Sequence, residues 1–158
     1  GDVYKRQDAM ELGKLYAIQT TASTTEGAQY VYCKKLVKNE TGERPLYTGY
    51  HSTVSAFYYG TLIVGDQFDG NFDGYSALDT NIPLSSLKEP TAFDSPTTFA
   101  VASVIPGWTA ALQLMRAGER WMLYIPWQSA YGSSGNNDGT IPGYTALTFD
   151  LLLERIVE

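Results

Sequence analysis

Residues 104–125, which carry the sequence VIPGWTAALQLMRAGERWMLYI, decide the fold. Apolar side chains recur there at helical spacing, at Trp108, Leu112 and Met115. This spacing predicts a helix over 107–115 with one narrow apolar face toward a core. Pro106 suits the start of that helix, and Gly118 suits its end. The segment therefore predicts a short helix followed at once by a new element.

Outward from this segment, most of the chain shows the two-residue alternation of β-strands. The predicted strands cover residues 29–38, 53–64, 97–101, 119–126 and 145–157. The last of them carries apolar residues on both faces over part of its length, as in a central strand that is covered on both sides. Many strands with one short helix predict an α+β fold, in which a twisted antiparallel β-sheet wraps around the helix.

The N-terminal part of the chain departs from this strand-rich pattern. Residues 1–26 are predicted to form an extension and linker ahead of a domain that covers residues 27–158. Residues 1–7 look foreign to the rest and are interpreted as an artefact. Apolar positions within 8–19 favour a short helix, and the small polar run 20–25 favours a linker.

Composition and charge exclude several classes of function. The formal net charge is -6 without a Lys/Arg cluster, so nucleic-acid binding is not expected. One cysteine, Cys33, rules out an intramolecular disulfide, and with the single histidine, His51, it argues against a zinc site or a cysteine nucleophile. No apolar stretch approaches the length of a membrane span. We therefore expect neither a metal nor a cofactor.

A series of short motifs runs through the chain. They are Tyr58–Leu62, Gly65–Asp69, Val104–Trp108, Ala111–Met115, Gly118–Arg120, Ile125–Pro126, Ala130–Gly132, Ile141–Pro142 and Leu147–Asp150. In this order and spacing they resemble the FKBP family of macrolide-binding peptidyl-prolyl cis-trans isomerases. The resemblance covers roughly residues 27–158 and is weak from 70 to 96. It implies the FKBP-like fold and a pocket for a prolyl ring.

The resemblance also implies which residues form that pocket. Its substrate-binding lining would be Phe68, Val104, Ile105, Trp108, Ile141 and Phe149. Trp108 would be the floor beneath the prolyl ring, and Ile141 would lie on a glycine-rich loop over the site. The implied catalytic residues are Tyr58, Asp69 and Tyr131. The Tyr131 hydroxyl and the Ile105 backbone N–H would bind substrate carbonyls, and Asp69 would polarise the pocket edge beside Tyr58.

Taken singly, these residues have simpler interpretations. Trp108 and Phe149 suit ordinary core positions, Tyr131 suits a turn, and Asp69 suits the start of a turn. Their joint order and spacing is what favours a pocket over these readings.

The chain departs from the family pattern in several places. Thr97 stands where an aromatic residue is common, which removes one wall or leaves it to the insertion at residues 70–96. Gly143 follows Ile141–Pro142 where a second proline is common. Residues 70–96, broken by glycines and prolines, exceed the short connection of minimal members and are interpreted as an insertion.

An aromatic pocket without a nucleophile or a metal suits rotation about an Xaa-Pro bond, because no covalent bond has to break. The resemblance therefore implies a prolyl isomerase that assists folding. Its partners would be proline-containing polypeptides and macrolides such as rapamycin or tacrolimus. It would reside in the bacterial periplasm or cell envelope, as a lipoprotein with its signal removed, with a cytoplasmic location left open. The alternatives are a catalytically weak binding or chaperone module and a structural domain of a larger surface protein.

Overall fold

The computed structural model describes residues 2–45, 51–75 and 83–158. Along this part of the chain the helices and strands are α1 Asp2–Asp8, β1 Leu15–Thr24, β2 Gly27–Val37, β3 Thr53–Leu62, β4 Gln67–Gly70, β5 Thr97–Ala100, α2 Pro106–Leu112, β6 Arg120–Ile125 and β7 Leu147–Ile156. Short 3-10 turns cover Leu84–Ser86, Val101–Ser103 and Trp127–Ser129. The strands and the helix predicted from residue 29 onward are confirmed, with ends displaced by a few residues. No helix in these ranges is long and apolar enough to cross a membrane.

The strands form one antiparallel sheet in the order β1-β2-β6-β7-β3-β4. The short strand β5 pairs with β3 on the same edge as β4. β7 lies between β6 and β3, which confirms its predicted central position. The sheet packs on α2, so the predicted α+β fold is confirmed.

Helix α2 forms the centre of the core, and every residue from Gly107 to Leu112 is buried. Side chains from four strands pack against it, among them Val31, Cys33, Val54, Leu123, Leu151 and Leu153. Seven residues form too short a helix to be stable alone in water, so this packing is what stabilises α2. The burial of α2 also sets the position of Trp108, which lies on its first turn.

The opposite face of the sheet is covered by parts of the segment predicted to be an insertion. Buried Arg120 donates through Nε and Nη2 to the Asp150 carboxylate, at 2.8 and 2.6 Å. Its third nitrogen donates to the Lys88 carbonyl oxygen, and the Tyr75 backbone N–H donates to Asp150 at 3.2 Å. The ion pair therefore ties residues of the 70–96 segment to the middle of the sheet. Residues 76–82 of that segment lie outside the described ranges.

The predictions for residues 8–25 are wrong. The helix lies at Asp2–Asp8, and β1 begins at Leu15 and pairs with β2 through the run that was expected to be a linker. Its partly buried side chains Tyr16 and Ile18 alternate with exposed neighbours, which is strand periodicity. Pairing with β2 outweighs the weak helical spacing. The proposed domain boundary at residue 27 stays a prediction. It falls within the hairpin that β1 and β2 form.

The N-terminal segment contacts a buried charge. Gln7 accepts two hydrogen bonds from the Lys35 ammonium, at its backbone oxygen (2.7 Å) and its side-chain oxygen (2.9 Å). Its amide donates to Glu119 Oε1 at 2.7 Å, and Lys35 lies 3.4 Å from Glu119 Oε2. Burial lowers the pKa of Lys35, and the Glu119 charge opposes that shift. That residues 1–7 are an artefact stays a prediction, although Gln7 takes part in this hydrogen-bond network.

Gln7→Ala should destabilise the fold by about 2 kcal/mol, because it leaves the buried Lys35 and Glu119 groups short of partners. Gln19→Ala is the matched control, since Gln19 is exposed on β1 and should change stability by less than about 0.5 kcal/mol. Urea unfolding of both variants measures the difference. Equal stabilities would show that Gln7 contributes nothing to the fold.

Candidate active site

A cavity of about 320 Å³ opens between α2 and the sheet. Its lining consists of Tyr58, Phe68, Asp69, Phe99, Ser103, Val104, Ile105, Trp108, Tyr131 and Phe149. Eight of the nine residues singled out from the sequence are thus brought together, although they come from distant parts of the chain. Their roles in binding and catalysis stay predictions.

The floor of the cavity is Trp108, which is only 3% exposed. Three rings meet the indole edge-to-face, with centroid separations of 5.3 Å to Tyr58, 5.0 Å to Phe99 and 5.1 Å to Phe149. Phe68 packs on Phe149 in the same way at 5.5 Å. Such contacts favour fixed ring orientations. The result is a rigid apolar box with Trp108 at its base.

Local contacts at the start of α2 hold this floor in place. Pro106 supplies the first turn with a fixed φ, and Ile105 is the N-cap residue whose carbonyl accepts from the Trp108 N–H at 2.9 Å. The Thr109 hydroxyl donates to the Val101 carbonyl oxygen at 2.7 Å. Among the described residues, no acceptor is paired with the Ile105 backbone N–H. That donor therefore stands at the cavity rim.

The polar groups of the site lie on one side of the cavity. Burial raises the pKa of the Tyr58 hydroxyl, and its interaction with the Asp69 carboxylate raises it further. Burial also raises the pKa of Tyr131, with smaller contributions from Asp69 and Asp138. Both tyrosine hydroxyls are therefore protonated hydrogen-bond donors at physiological pH, and both lie near the Asp69 side chain.

Phe99 is the wall that sequence reasoning missed. Thr97 was expected to remove one wall or to leave it to residues 70–96, yet Phe99 of the same strand lines the cavity and contacts both Tyr58 and Trp108. Strand alternation places residues 97 and 99 on the same face, and this was the signal that could have found it. Ser103, from the turn before α2, was also missed and carries no distinctive sequence signal.

Ile141 is the one predicted site residue that does not line the cavity. Its side chain is 1% exposed and belongs to the core. The Asn136 side chain accepts from the Ile141 N–H at 2.8 Å, and the Asn136 N–H donates to the Ile141 carbonyl oxygen at 3.0 Å. This closed turn folds residue 141 inward, so the expectation that it overlies the site is not met.

Gly60 allows the two phenylalanines of the box to meet. It lies on β3 opposite Phe149 of β7 and Asp69 of β4. A Cβ atom at this position would lie 2.6 Å from Phe149 Cε1 and 2.8 Å from Phe68 Cζ. No residue with a side chain fits here unless the rings shift.

The fold and the cavity together define an α+β protein in which an aromatic cavity opens between one short helix and the sheet. The family model for FKBP-type peptidyl-prolyl cis-trans isomerase matches residues 48–154, which is more than half of the chain. The chain belongs to this family.

Named relatives agree with this assignment. The chain is 34% identical over 134 residues to the FKBP-type peptidyl-prolyl cis-trans isomerase FkpA of Aeromonas hydrophila, covering 85% of this chain and 40% of that protein. It is 40% identical over 106 residues to the outer membrane protein MIP of Legionella longbeachae, covering 67% and 34%. The chain therefore spans less than half the length of these relatives.

A solved structure shows the same fold. The crystal structure of a peptidyl-prolyl cis-trans isomerase from Pseudomonas syringae pv. tomato matches with a TM-score of 0.61 over 99% of this chain and 95% of that one, at 24% identity.

Gly60→Ala should lower stability by about 1–3 kcal/mol, because the added methyl group overpacks the Phe68–Phe149 contact. Gly60→Ser adds one more heavy atom than Gly60→Ala, so it should lower the stability further. Urea unfolding gives the stabilities, and one-dimensional NMR of ring protons reports whether the two rings move. A fully stable Gly60→Ala variant with unshifted ring signals would contradict the close approach.

The raised pKa of Tyr58 predicts that its hydroxyl stays protonated when ordinary tyrosines ionise near pH 10. The folded state then binds more protons than the unfolded state, so this group's stability contribution is present below pH 10 and is lost as pH rises further. Tyrosinate absorbance at pH 10–11 should be the same in wild type and Tyr58→Phe. A loss of one tyrosinate in the variant would show that Tyr58 titrates normally.

Proposed function

We propose that this chain catalyses rotation about Xaa-Pro peptide bonds in other polypeptides. The observation that carries the proposal is the aromatic box over Trp108, in a cavity that Tyr131, Asp69 and Ile105 also line. The cavity suits a single prolyl ring, since it is apolar at its base and polar at one rim.

The apolar base would act on the amide itself. Rotation costs roughly 18–20 kcal/mol because amide resonance is lost midway. The planar amide is more polar than the twisted one, so an apolar environment disfavours the ground state relative to the transition state. This apolar environment would come from three rings that contact Trp108, those of Phe99, Phe149 and Tyr58. The prolyl ring of the substrate would lie on Trp108.

The polar rim would hold the flanking chain while the bond turns. The Ile105 N–H and the Tyr131 hydroxyl can each donate to a substrate carbonyl, and fixed donors favour the rotating geometry by orientation. Asp69 interacts with the Tyr58 hydroxyl and would polarise the edge of the cavity. No proton needs to be transferred in such a reaction.

Ligands and location form part of the same proposal. Proline-containing polypeptides would be substrates, and macrolides such as rapamycin or tacrolimus would compete for the box, as the family resemblance implies. The relative from Legionella longbeachae is an outer membrane protein by name, which supports a location in the bacterial envelope. The proposal includes attachment of the protein to the envelope as a lipoprotein.

The direct test is the cis-to-trans rate of short Xaa-Pro-Phe peptides. Wild type should accelerate it, and Trp108→Ala and Asp69→Ala should reduce the gain. Tyr131→Phe removes one hydroxyl alone and should lower kcat/KM about tenfold, the equivalent of about 1.4 kcal/mol. Tyr144→Phe is the matched control, since Tyr144 is 67% exposed and lies outside the cavity lining.

Two outcomes would count against the proposal. A folded wild type that leaves the isomerisation rate at its uncatalysed value would contradict the proposed enzyme activity. The alternative, a binding or chaperone module, would then be tested by rapamycin binding. Equal losses in Tyr131→Phe and Tyr144→Phe would show that the rate gain does not come from this cavity.

A further inference from the structure

The outer edge of β3 is shared by two short strands that do not meet. β5 pairs with residues 53–56 and β4 with residues 59–61. In the described chain, Phe57 and Tyr58 fall in the gap between them. The edge-facing backbone groups there therefore need partners from elsewhere.

Asn71 fills this gap with its side chain. Its Oδ1 accepts from the Tyr58 N–H at 2.8 Å, and its Nδ2 donates to the Ala56 carbonyl oxygen at 3.0 Å. Its own backbone N–H donates to the Tyr58 carbonyl oxygen at 2.9 Å. Asn71 thus replaces one residue of a missing strand.

The second amide hydrogen reaches the neighbouring strand. Nδ2 also donates to Thr97 Oγ1 at 2.9 Å, on the first residue of β5. Asn71 and Thr97 therefore join β4 to β5 across the gap.

The three strands that meet at Asn71 carry three sides of the cavity. β3 supplies Tyr58, β4 supplies Phe68 and Asp69, and β5 supplies Phe99. The Tyr58 and Phe99 rings lie 5.4 Å apart, edge-to-face. A change in the β4–β5 junction would therefore change the width of the box.

We propose that Asn71 is a positioning residue for the prolyl pocket: with Thr97 it sets the spacing of the Tyr58, Phe68 and Phe99 walls. The expected effect of Asn71 on catalysis rests on the proposed function. Asn71 does not line the cavity, so it acts through Tyr58 and Thr97.

The test compares Asn71→Ala, Thr97→Val and Thr97→Ser with a matched control, Asn39→Ala. Asn39 also donates an amide hydrogen to a backbone carbonyl, that of Ala117 at 2.8 Å, but it lies away from the cavity. Thr97→Val removes the acceptor at nearly constant shape, and Thr97→Ser restores it. All variants are assayed at a temperature where urea unfolding shows each to be folded.

Two readouts use substrate-free protein. Amide hydrogen exchange at Tyr58 should speed up about tenfold in Asn71→Ala and stay unchanged in Asn39→Ala. The NMR signal of the Trp108 indole N–H should shift in Asn71→Ala and Thr97→Val and return in Thr97→Ser, because ring currents from Phe99 and Tyr58 depend on their spacing. These readouts stand even if the wild type has no isomerase activity.

The third readout is kcat/KM on Xaa-Pro-Phe peptides. Asn71→Ala and Thr97→Val should lose about tenfold, whereas Thr97→Ser and Asn39→Ala should keep wild-type values. Unchanged Tyr58 exchange and an unshifted indole signal in Asn71→Ala would overturn the positioning role. Equal activity losses in Asn71→Ala and Asn39→Ala would also overturn it, since loss of stability alone would then account for both.

Discussion

The burial of the Trp108 indole among three ring edges is the contact on which the rest of this structure depends. It anchors a helix of seven residues that could not stand alone, and it closes the base of the cavity. The core and the cavity therefore share the same set of contacts. Any motion of the floor would cost packing energy, so the site is held in shape without a ligand.

Buried charges supply a second level of constraint on both sides of the sheet. Lys35 and Glu119 meet Gln7 near the N-terminal helix, and Arg120 and Asp150 meet the segment after β4. Buried ion pairs add little net stability, because desolvation offsets most of the attraction. They do specify which segment covers which face, since a wrong partner would leave a charge unpaired. The peripheral segments of this fold are placed mainly by such specificity.

The sequence was sufficient where local periodicity is strong. Trp108, Leu112 and Met115 predicted α2, and the alternation from Leu147 onward predicted a central strand. It failed where long-range pairing decides, as in β1, whose strand form depends on β2. Phe99 lines the cavity although it was not predicted to, and Ile141 does not although it was, because strand register and a loop hydrogen bond decide which side chain reaches the cavity. Asn71 could not be found at all, since its partners Ala56 and Thr97 are 15 and 26 residues away.

The strand order also bears on how such a chain is assembled during synthesis. Among the strands of the described residues, β7 is synthesised after all the others, yet it joins β6 on one side to β3 on the other. Until it is made, the sheet consists of two unconnected parts, β1-β2-β6 and β3-β4-β5, each with an open edge. The growing chain therefore cannot close its core one element at a time. The two parts of the sheet cannot pair with each other until β7 has left the ribosome, and until then their open edges are exposed to incorrect strand pairing.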